Sequence, residues 1–273
     1  MKNTQQITRA MKFVAAARLR RAQEAALAAR PYAKELTRVL RSTMSRIVGV
    51  EHPLMEKRPE KRVLAIVLSG ERGLAGAFNT NILKKAAEFF RSHKKESLSV
   101  IAVGKKGRDA LKRAGLNLAG EYVNVLAKVE FGTAREIATL VTESYSNNEI
   151  DAVHLIFSEF KNVMSAHLAV EKLLPIESAE SEEPESSQVD YIYEQDPDTL
   201  LERLLPRYVE TQVMRAMLES SAAEYAARMT AMESATKNAG EVIQALTLHM
   251  NKVRQAAITK EIIEIVSGAS STA

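Results

Sequence analysis

Cysteine is absent from this sequence of 273 residues, which excludes disulfides, thiolate catalysis and cysteine-based metal sites. Five histidines stand at positions 52, 93, 154, 167 and 249, with no pair four residues apart, so no histidine-based metal site is predicted. No apolar run approaches the roughly 18 residues of a membrane helix. The first residues also lack the features of a signal or transit peptide, so we expect the chain to stay in the compartment where it is made.

Proline is absent after Pro206, and glycine occurs beyond that point only at 240 and 268. Apolar or small residues recur there in alternating steps of four and three, which is the heptad repeat of a left-handed coiled coil. The repeat consists of Leu218, Ala222, Tyr225, Met229, Met232, Thr236, Ala239, Ile243, Leu246, Met250, Val253 and Ala257. A helix of about 60 residues would be about 90 Å long, so it must project beyond any domain that this chain can build.

Acidic residues are scarce at the start of the chain, although the net charge of the whole is only +4. Residues 1–46 carry eleven Lys or Arg against Glu24 and Glu35, whereas residues 177–202 carry ten Asp or Glu and no base. A basic helix of this kind can bind nucleic acid, a lipid surface or an acidic protein partner, or it can simply present a solvated face.

The N-terminal segment, from Thr4 to about Val48, predicts a second long helix. Its predicted packing face steps by threes and fours through Ile7, Met11, Val14, Ala22, Ala25, Ala29, Tyr32, Leu36 and Val39. Pro31 lacks a backbone donor and predicts a kink or an interruption. The two ends of the chain can thus form one antiparallel coiled coil, with the residues between them folding as an inserted domain.

The central segment alternates between buried strands and helices. Residues 62–70 form a continuous apolar run typical of a strand buried on both faces, and 97–104 and 152–157 are similar. Helices are predicted at 79–93, 105–114 and 134–145, and an edge strand at 169–176. This order predicts a Rossmann-like, doubly wound α/β domain.

Three regions follow from these patterns. Residues 1–50 form the N-terminal coiled-coil helix, residues 60–195 the α/β domain, and residues 197–273 the C-terminal coiled-coil helix. Within the domain, residues 177–190 are acidic and serine-rich with one proline, and they predict a mobile loop.

A glycine-containing segment, Ser69–Asn79, lies between the first strand and its helix, where Rossmann proteins hold a pyrophosphate. Its glycines are spaced G-x-x-G-x-x-G, which is neither the dinucleotide fingerprint nor a P-loop, and Glu71 would repel a phosphate. We therefore predict a tight turn or a partner contact. No carboxylate pair or His-centred triad indicates catalysis, and no cofactor is expected.

Four segments resemble the gamma subunit of F-type ATP synthases. They are NTQQITRAMKFVAAAR (3–18), RGLAGAFN (72–79), ARMTAM (227–232) and RQAAITKEIIEIVSGA (254–269). The similarity runs through the whole chain, and the last segment is its most specific part. In this family the pattern starts several turns upstream of Asn3, so we expect the N-terminus to be truncated and the end of the C-terminal helix to lack its partner.

The resemblance implies a non-catalytic rotor shaft that couples proton flow through a membrane ring to ATP synthesis and hydrolysis. Its implied partners are the alpha and beta subunits, an epsilon or delta-type stalk subunit and the c-ring, with neither nucleic acid nor a membrane span of its own. The implied location is peripheral, on the cytoplasmic face of a bacterial inner membrane or, failing that, the matrix side of the mitochondrial one.

The resemblance also implies site residues. Those expected to contact the catalytic ring are Met11, Lys12, Arg228, Arg254, Gln255, Thr259 and Glu264, and those of the loop are Arg72, Gly73 and Gly76. Gln255 and Thr259 fall opposite the heptad face. Two alternatives stay open here: a Rossmann-like nucleotide-binding protein with helical arms, and a basic coiled-coil protein that binds nucleic acid.

Overall fold

The computed structural model describes residues 1–46, 52–94, 97–177 and 197–271. Two helices dominate it: α1 (Lys2–Arg46) and α5 (Pro197–Ser271), of 45 and 75 residues. The predicted acidic loop, residues 177–190, lies outside the described residues except for Glu177, whose carboxylate pairs with Lys172 at 3.0 Å. In the described residues, no helix has an apolar stretch long enough to cross a membrane.

Between these helices lies the α/β domain. A short 3-10 helix (Pro53–Met55) precedes β1 (Val63–Leu68), α2 (Phe78–Arg91), β2 (Leu98–Val103), α3 (Lys105–Arg113), β3 (Asn117–Tyr122), α4 (Phe131–Ser146), β4 (Ala152–Phe160) and β5 (Ala166–Leu174). The strand order is β3-β2-β1-β4-β5, parallel except for the edge strand β5, which runs antiparallel to β4. The predicted mixed α/β fold with a long C-terminal helix is confirmed.

Both faces of the sheet are covered, because alternate residues of a strand point to opposite sides. Leu64, Ile66 and Leu68 of β1 pack in a core with α4 and the first part of α5. Val63, Ala65 and Val67 pack in a second core with α2 and α3, which also takes in parts of α1 and α5. The domain and the long helices therefore share their cores.

The sequence did not predict β3. This strand alternates between exposed and half-buried residues, contains Gly120, and has no continuous apolar run. It lies at the edge of the sheet, where only one neighbour, β2, pairs with it. An edge strand needs less burial than a central one, so its composition resembles that of a loop.

Pro31 does not interrupt α1, which continues for fifteen further residues to Arg46. A proline removes one backbone hydrogen bond and costs about 3 kcal/mol in a helix interior. On both sides of Pro31 the helix is held by buried residues, among them Ala26, Ala33, Leu36 and Leu40. Tertiary packing of α1 against α5 outweighs the local preference.

The predicted packing face of α1 was partly wrong. Ile7, Val14 and Tyr32 are 59%, 55% and 51% exposed, and Ala25 is also exposed. The face that meets α5 is shifted by about one residue and contains Ala15, Leu19, Ala26, Ala33, Leu36 and Leu40. Because the buried face lies about one residue later along the helix, Ile7 and Val14 fall on the outward side.

The heptad face of α5 is confirmed in its first half. Leu218, Ala222, Tyr225 and Met232 are buried, and Ile243 is half-buried. From Leu246 onward the predicted members Met250, Val253 and Ala257 are exposed. The two helices face each other at Lys12 and Glu233, Thr8 and Thr236, and Gln5 and Gly240, so Met1 lies level with about residue 244.

We call residues 245–271 of α5 the apical section. Among the described residues, no helix faces this section, which extends about 40 Å beyond the level of Met1 at 1.5 Å per residue.

Candidate partner interface

The glycine loop, residues 69–79, is fixed at the C-terminal end of β1. Ser69 is buried, and its hydroxyl accepts a hydrogen bond from Gly107 N at 2.7 Å. Asn79 closes the loop, because its Oδ1 accepts from Gly70 N at 2.8 Å and its Nδ2 donates to Arg72 O at 3.3 Å. The loop is therefore an ordered turn, as one of the two sequence interpretations predicted.

The crevice beside this loop, where an open α/β sheet binds ligands, lies between β1 and β4 at their carboxyl ends. Here α5 crosses the sheet. A Cβ atom on Gly70 would lie 3.0 Å from Glu224 Oε1, so α5 leaves no room above the turn. Glu71 places a second carboxylate at the start of α3, where Oε2 accepts from Lys105 N at 3.1 Å. Glu224 thus fills the space above the turn and Glu71 adds negative charge beside it, which argues against the nucleotide-binding alternative.

Glu224 is a buried acid with an internal partner. It is 4% exposed and pairs with Arg228 one turn later, and the Arg228 guanidinium also lies 5.5 Å from the centre of the Tyr225 ring. Burial raises the pKa of the Glu224 carboxyl, and Arg228 opposes that shift. The predicted interface residue Arg228 is therefore engaged within the chain, with its side chain 13% exposed.

The loop presents a small outward surface above this pair. Arg72, Leu74 and Gly76 are exposed, and Leu74 is 65% exposed with a positive φ of 62°. Gly76 also has a positive φ, 54°, and its α-carbon faces Ala227 and Ala231 of α5. Gly73 is half-buried, and a Cβ atom added to it would lie 4.0 Å from Lys106 Cε. The structure therefore joins the predicted loop residues and Arg228 into one region, the neck, where α5 leaves the domain.

The predicted N-terminal pair Met11 and Lys12 lies higher on the coiled coil. Both are half-buried, and Lys12 Nζ lies 2.5 Å from Glu233 Oε1 on α5. Next to them, Ile7, Phe13 and Val14 are more than half exposed. Basic residues Arg9, Arg18, Arg20 and Arg21 flank these apolar side chains. This outward face of α1 combines apolar area with positive charge.

The remaining predicted residues lie in the apical section, far from the neck. Arg254, Gln255, Thr259 and Glu264 are all exposed. Thr259 Oγ1 donates to Gln255 O at 2.9 Å, and Glu264 lies 3.7 Å from Lys260. Exposed apolar side chains accompany them: Leu246, Leu248, Met250, Val253, Ile258, Ile262, Ile263, Ile265 and Val266. Large exposed apolar patches mark surfaces that other molecules cover.

Sequence reasoning missed Arg30 and Glu219. Glu219 is 1% exposed and receives two hydrogen bonds from Arg30, at 2.6 and 2.9 Å. The available signal was an acidic residue within a run of small and apolar positions of α5, residues 216–226. Within the described ranges, no cluster of three or more acidic or histidine side chains could hold a metal ion.

Comparisons with known proteins agree with this architecture. The sequence pattern of the ATP synthase family matches residues 1–272. The ATP synthase gamma chains of Pelotomaculum thermopropionicum and Solibacter usitatus are each 49% identical to the chain, over 99% of it and 94% of their own length.

Solved structures of similar fold come from rotary complexes. One chain in the structure of the central stalk and c-ring of the Tetrahymena thermophila mitochondrial ATP synthase superposes with a TM-score of 0.65 at 25% identity, over 84% of this chain and 99% of that one. A chain of the Euglena gracilis mitochondrial ATP synthase has a TM-score of 0.59 at 19% identity, over 100% and 95% of the two chains. From its sequence and its fold, the chain belongs to the gamma chains of the ATP synthase family.

Proposed function

We propose that this chain is the central rotor shaft of an F-type ATP synthase. The observation that carries the proposal is the single helix α5, which runs unbroken from the α/β domain through the coiled coil into the exposed apical section. A continuous helix joins both ends of the molecule, so rotation of the domain would be passed along its length. The gamma-chain relatives support the same role.

The shaft acts on nucleotide sites by being asymmetric. A ring with three-fold symmetry has three equivalent sites, and one shaft inside it contacts each of them differently. To move one site from 1:99 to 99:1 between two states takes about 5.5 kcal/mol of differential contact. Several contacts along a long rod can supply that energy, whereas one exposed ion pair, worth about 1 kcal/mol or less, cannot. Coupling of this kind is reciprocal, so hydrolysis can turn the shaft and ion flow can drive synthesis.

The proposed partners follow from the two ends of the shaft. The apical section and the basic, apolar face of α1 would lie inside the ring of alpha and beta subunits. The α/β domain would lie against the membrane c-ring and the epsilon or delta-type subunit, on the cytoplasmic face of a bacterial inner membrane. In this arrangement the chain is a non-catalytic subunit that needs no cofactor, since ATP chemistry takes place in the ring.

The proposed contacts with the partner subunits use three regions. In the apical section, Arg254, Gln255, Thr259 and Glu264 offer hydrogen-bonding groups on an exposed helix. Closer to the α/β domain, Met11 and Lys12 offer a second set of contacts. Nearer still, Arg72, Gly73 and Gly76 form the outward side of the neck. Arg228 takes part indirectly, because it neutralises Glu224 beneath the loop.

A reconstitution tests the proposed function. The chain is mixed with alpha and beta subunits, and a bead is attached to its α/β domain while the ring is held on a surface. We expect stepwise, ATP-dependent rotation of the bead in one direction. A chain that binds the ring but never rotates, or that forms no complex by mass photometry, would contradict the proposal.

A further inference from the structure

One ion pair joins α1, α5 and the sheet. Arg30 of α1 donates from Nε to Glu219 Oε1 at 2.6 Å and from Nη2 to Glu219 Oε2 at 2.9 Å. Nη2 also donates to Phe160 O, at the end of β4, at 2.5 Å. Glu219 Oε2 in turn accepts from Phe160 N at 3.0 Å. We call Arg30, Glu219 and the Phe160 backbone the joint.

The joint lies in the last part of β4, beyond the residues that pair with β1. β1 pairs with β4 over Ala152–Ile156 only, whereas β5 pairs with β4 as far as Phe160. In this extension, side chains of the long helices bond the strand backbone: Ser220 Oγ accepts from Ser158 N at 3.3 Å, beside the contacts to Phe160. The helices are thus hydrogen-bonded to a strand of the sheet, besides packing on it.

The chemistry of the joint resists displacement. Apolar contacts are non-directional, so they fix the register of α5 against the sheet less strictly than directional hydrogen bonds do. A bidentate arginine–carboxylate contact is directional and strengthened by charge. Glu219 is 1% exposed, so its carboxylate is held by protein groups rather than by bulk water. A shift of α5 relative to β4 would leave this buried carboxylate unpaired.

We infer that the joint is the point at which turning force passes between the α/β domain and the coiled coil, and that Arg30 and Glu219 are positioning residues for coupling. This inference rests on the proposed function. Glu219 keeps α5 in register with the end of β4, and Arg30 brings α1 into the same connection. With the joint intact, the two helices and the sheet turn as one body under load.

The experiment uses the complete complex in sealed vesicles. Variants Arg30→Ala and Glu219→Gln are compared with Glu35→Ala, which lies on the same helix and removes an exposed pair with Arg38. ATP hydrolysis, complex assembly and the steady proton gradient built by hydrolysis are measured. Should Arg30→Ala fail to assemble, Arg30→Lys takes its place, because a lysine keeps the charge but cannot bond Glu219 twice and Phe160 O as well.

We expect the joint variants to hydrolyse ATP within about twofold of the control while their steady gradient falls at least twofold below it. A gradient equal to that of Glu35→Ala would overturn the inference. Hydrolysis and gradient falling in the same proportion would also overturn it, because that pattern belongs to a residue needed only for folding or assembly. Failure of the unaltered complex to build any gradient would instead count against the proposed function.

Discussion

Two buried glutamates lie five residues apart on α5 and differ in their surroundings. Glu219 receives hydrogen bonds from Arg30 and from a backbone amide, whereas Glu224 has Arg228 as its partner and lies near a second acid, Glu71. The cost of burying a charge depends on how fully it is paired. The two acids should therefore respond differently to substitution.

In the folded chain, burial raises the pKa of the Glu224 carboxyl above the ordinary glutamate value. The folded state then holds the proton more tightly than the unfolded state, so ionisation costs stability above the raised pKa, and the cost vanishes as the pH falls to the ordinary value. We expect Glu224→Gln to change the free energy of unfolding at neutral pH by less than about 1 kcal/mol and to flatten its acid dependence.

Removal of the partner should have the larger effect. Arg228→Ala leaves the buried Glu224 carboxylate without its cation, and we expect a loss of about 3 kcal/mol at neutral pH that becomes smaller in acid. Urea unfolding across pH 4 to 8 measures both variants, with exposed Arg254→Ala as the matched control. An equal loss for Glu224→Gln and Arg228→Ala would contradict this account.

For Arg254 and Gln255 we predict a loss of activity without a loss of stability. Both are exposed in the apical section, so Arg254→Ala and Gln255→Ala should leave helix content and melting nearly unchanged. We expect them to reduce ATP turnover and ATP-driven pumping in the assembled complex, because their contacts would form only with the ring. Circular dichroism beside turnover checks this, and full activity of both variants would remove this face from the mechanism.

At the scale of elements, periodicity predicted both long helices but did not fix the phase of α1. The buried face combines three alanines with Leu19, Leu36 and Leu40, while Ile7, Val14 and Tyr32 are more than half exposed. A pattern that follows hydrophobicity selects the larger side chains. Here three of these six buried positions are alanine, so side-chain hydrophobicity alone does not identify the buried face.

Gly240 offers a test of the coiled coil. A Cβ there would lie 2.9 Å from Gln5 Nε2, the end of a flexible side chain that can move. Alanine is favoured over glycine in a helix by about 1 kcal/mol, so Gly240→Ala should slow amide exchange in the adjoining parts of α1 and α5. Gly76→Ala is the matched contrast, because its φ of 54° strains an alanine and should destabilise the loop. Faster exchange in Gly240→Ala would refute the prediction.

Of the candidate site, the sequence could indicate the glycine loop and the apical residues, since both stand out as motifs. It could not indicate the joint. Arg30 and Glu219 are 189 residues apart, and nothing in either local pattern points to the other. Their pairing depends on the register of α1 against α5 and on the end of β4, which are properties of the assembled fold.

For the molecule as a whole, the exposed apical section predicts self-association of the isolated chain. Its apolar side chains are about half exposed or more, so copies can bury them against one another. We expect sedimentation to show a mass that rises with concentration, and a chain ending at residue 245 to stay monomeric with its domain folded. Ile262→Lys in the full chain should weaken association, while Lys237→Ala should not. A monomer at all concentrations would contradict this prediction.

The antiparallel pairing of the two ends also has a consequence for synthesis. Lys12 meets Glu233, which leaves the ribosome 221 residues later. At about 5 to 20 residues per second, α1 waits about 10 to 45 s for its partner. During that interval Leu19, Leu36 and Leu40 have no surface of α5 to cover them. The nascent chain therefore passes through a period in which the apolar face of its first helix is not covered by α5.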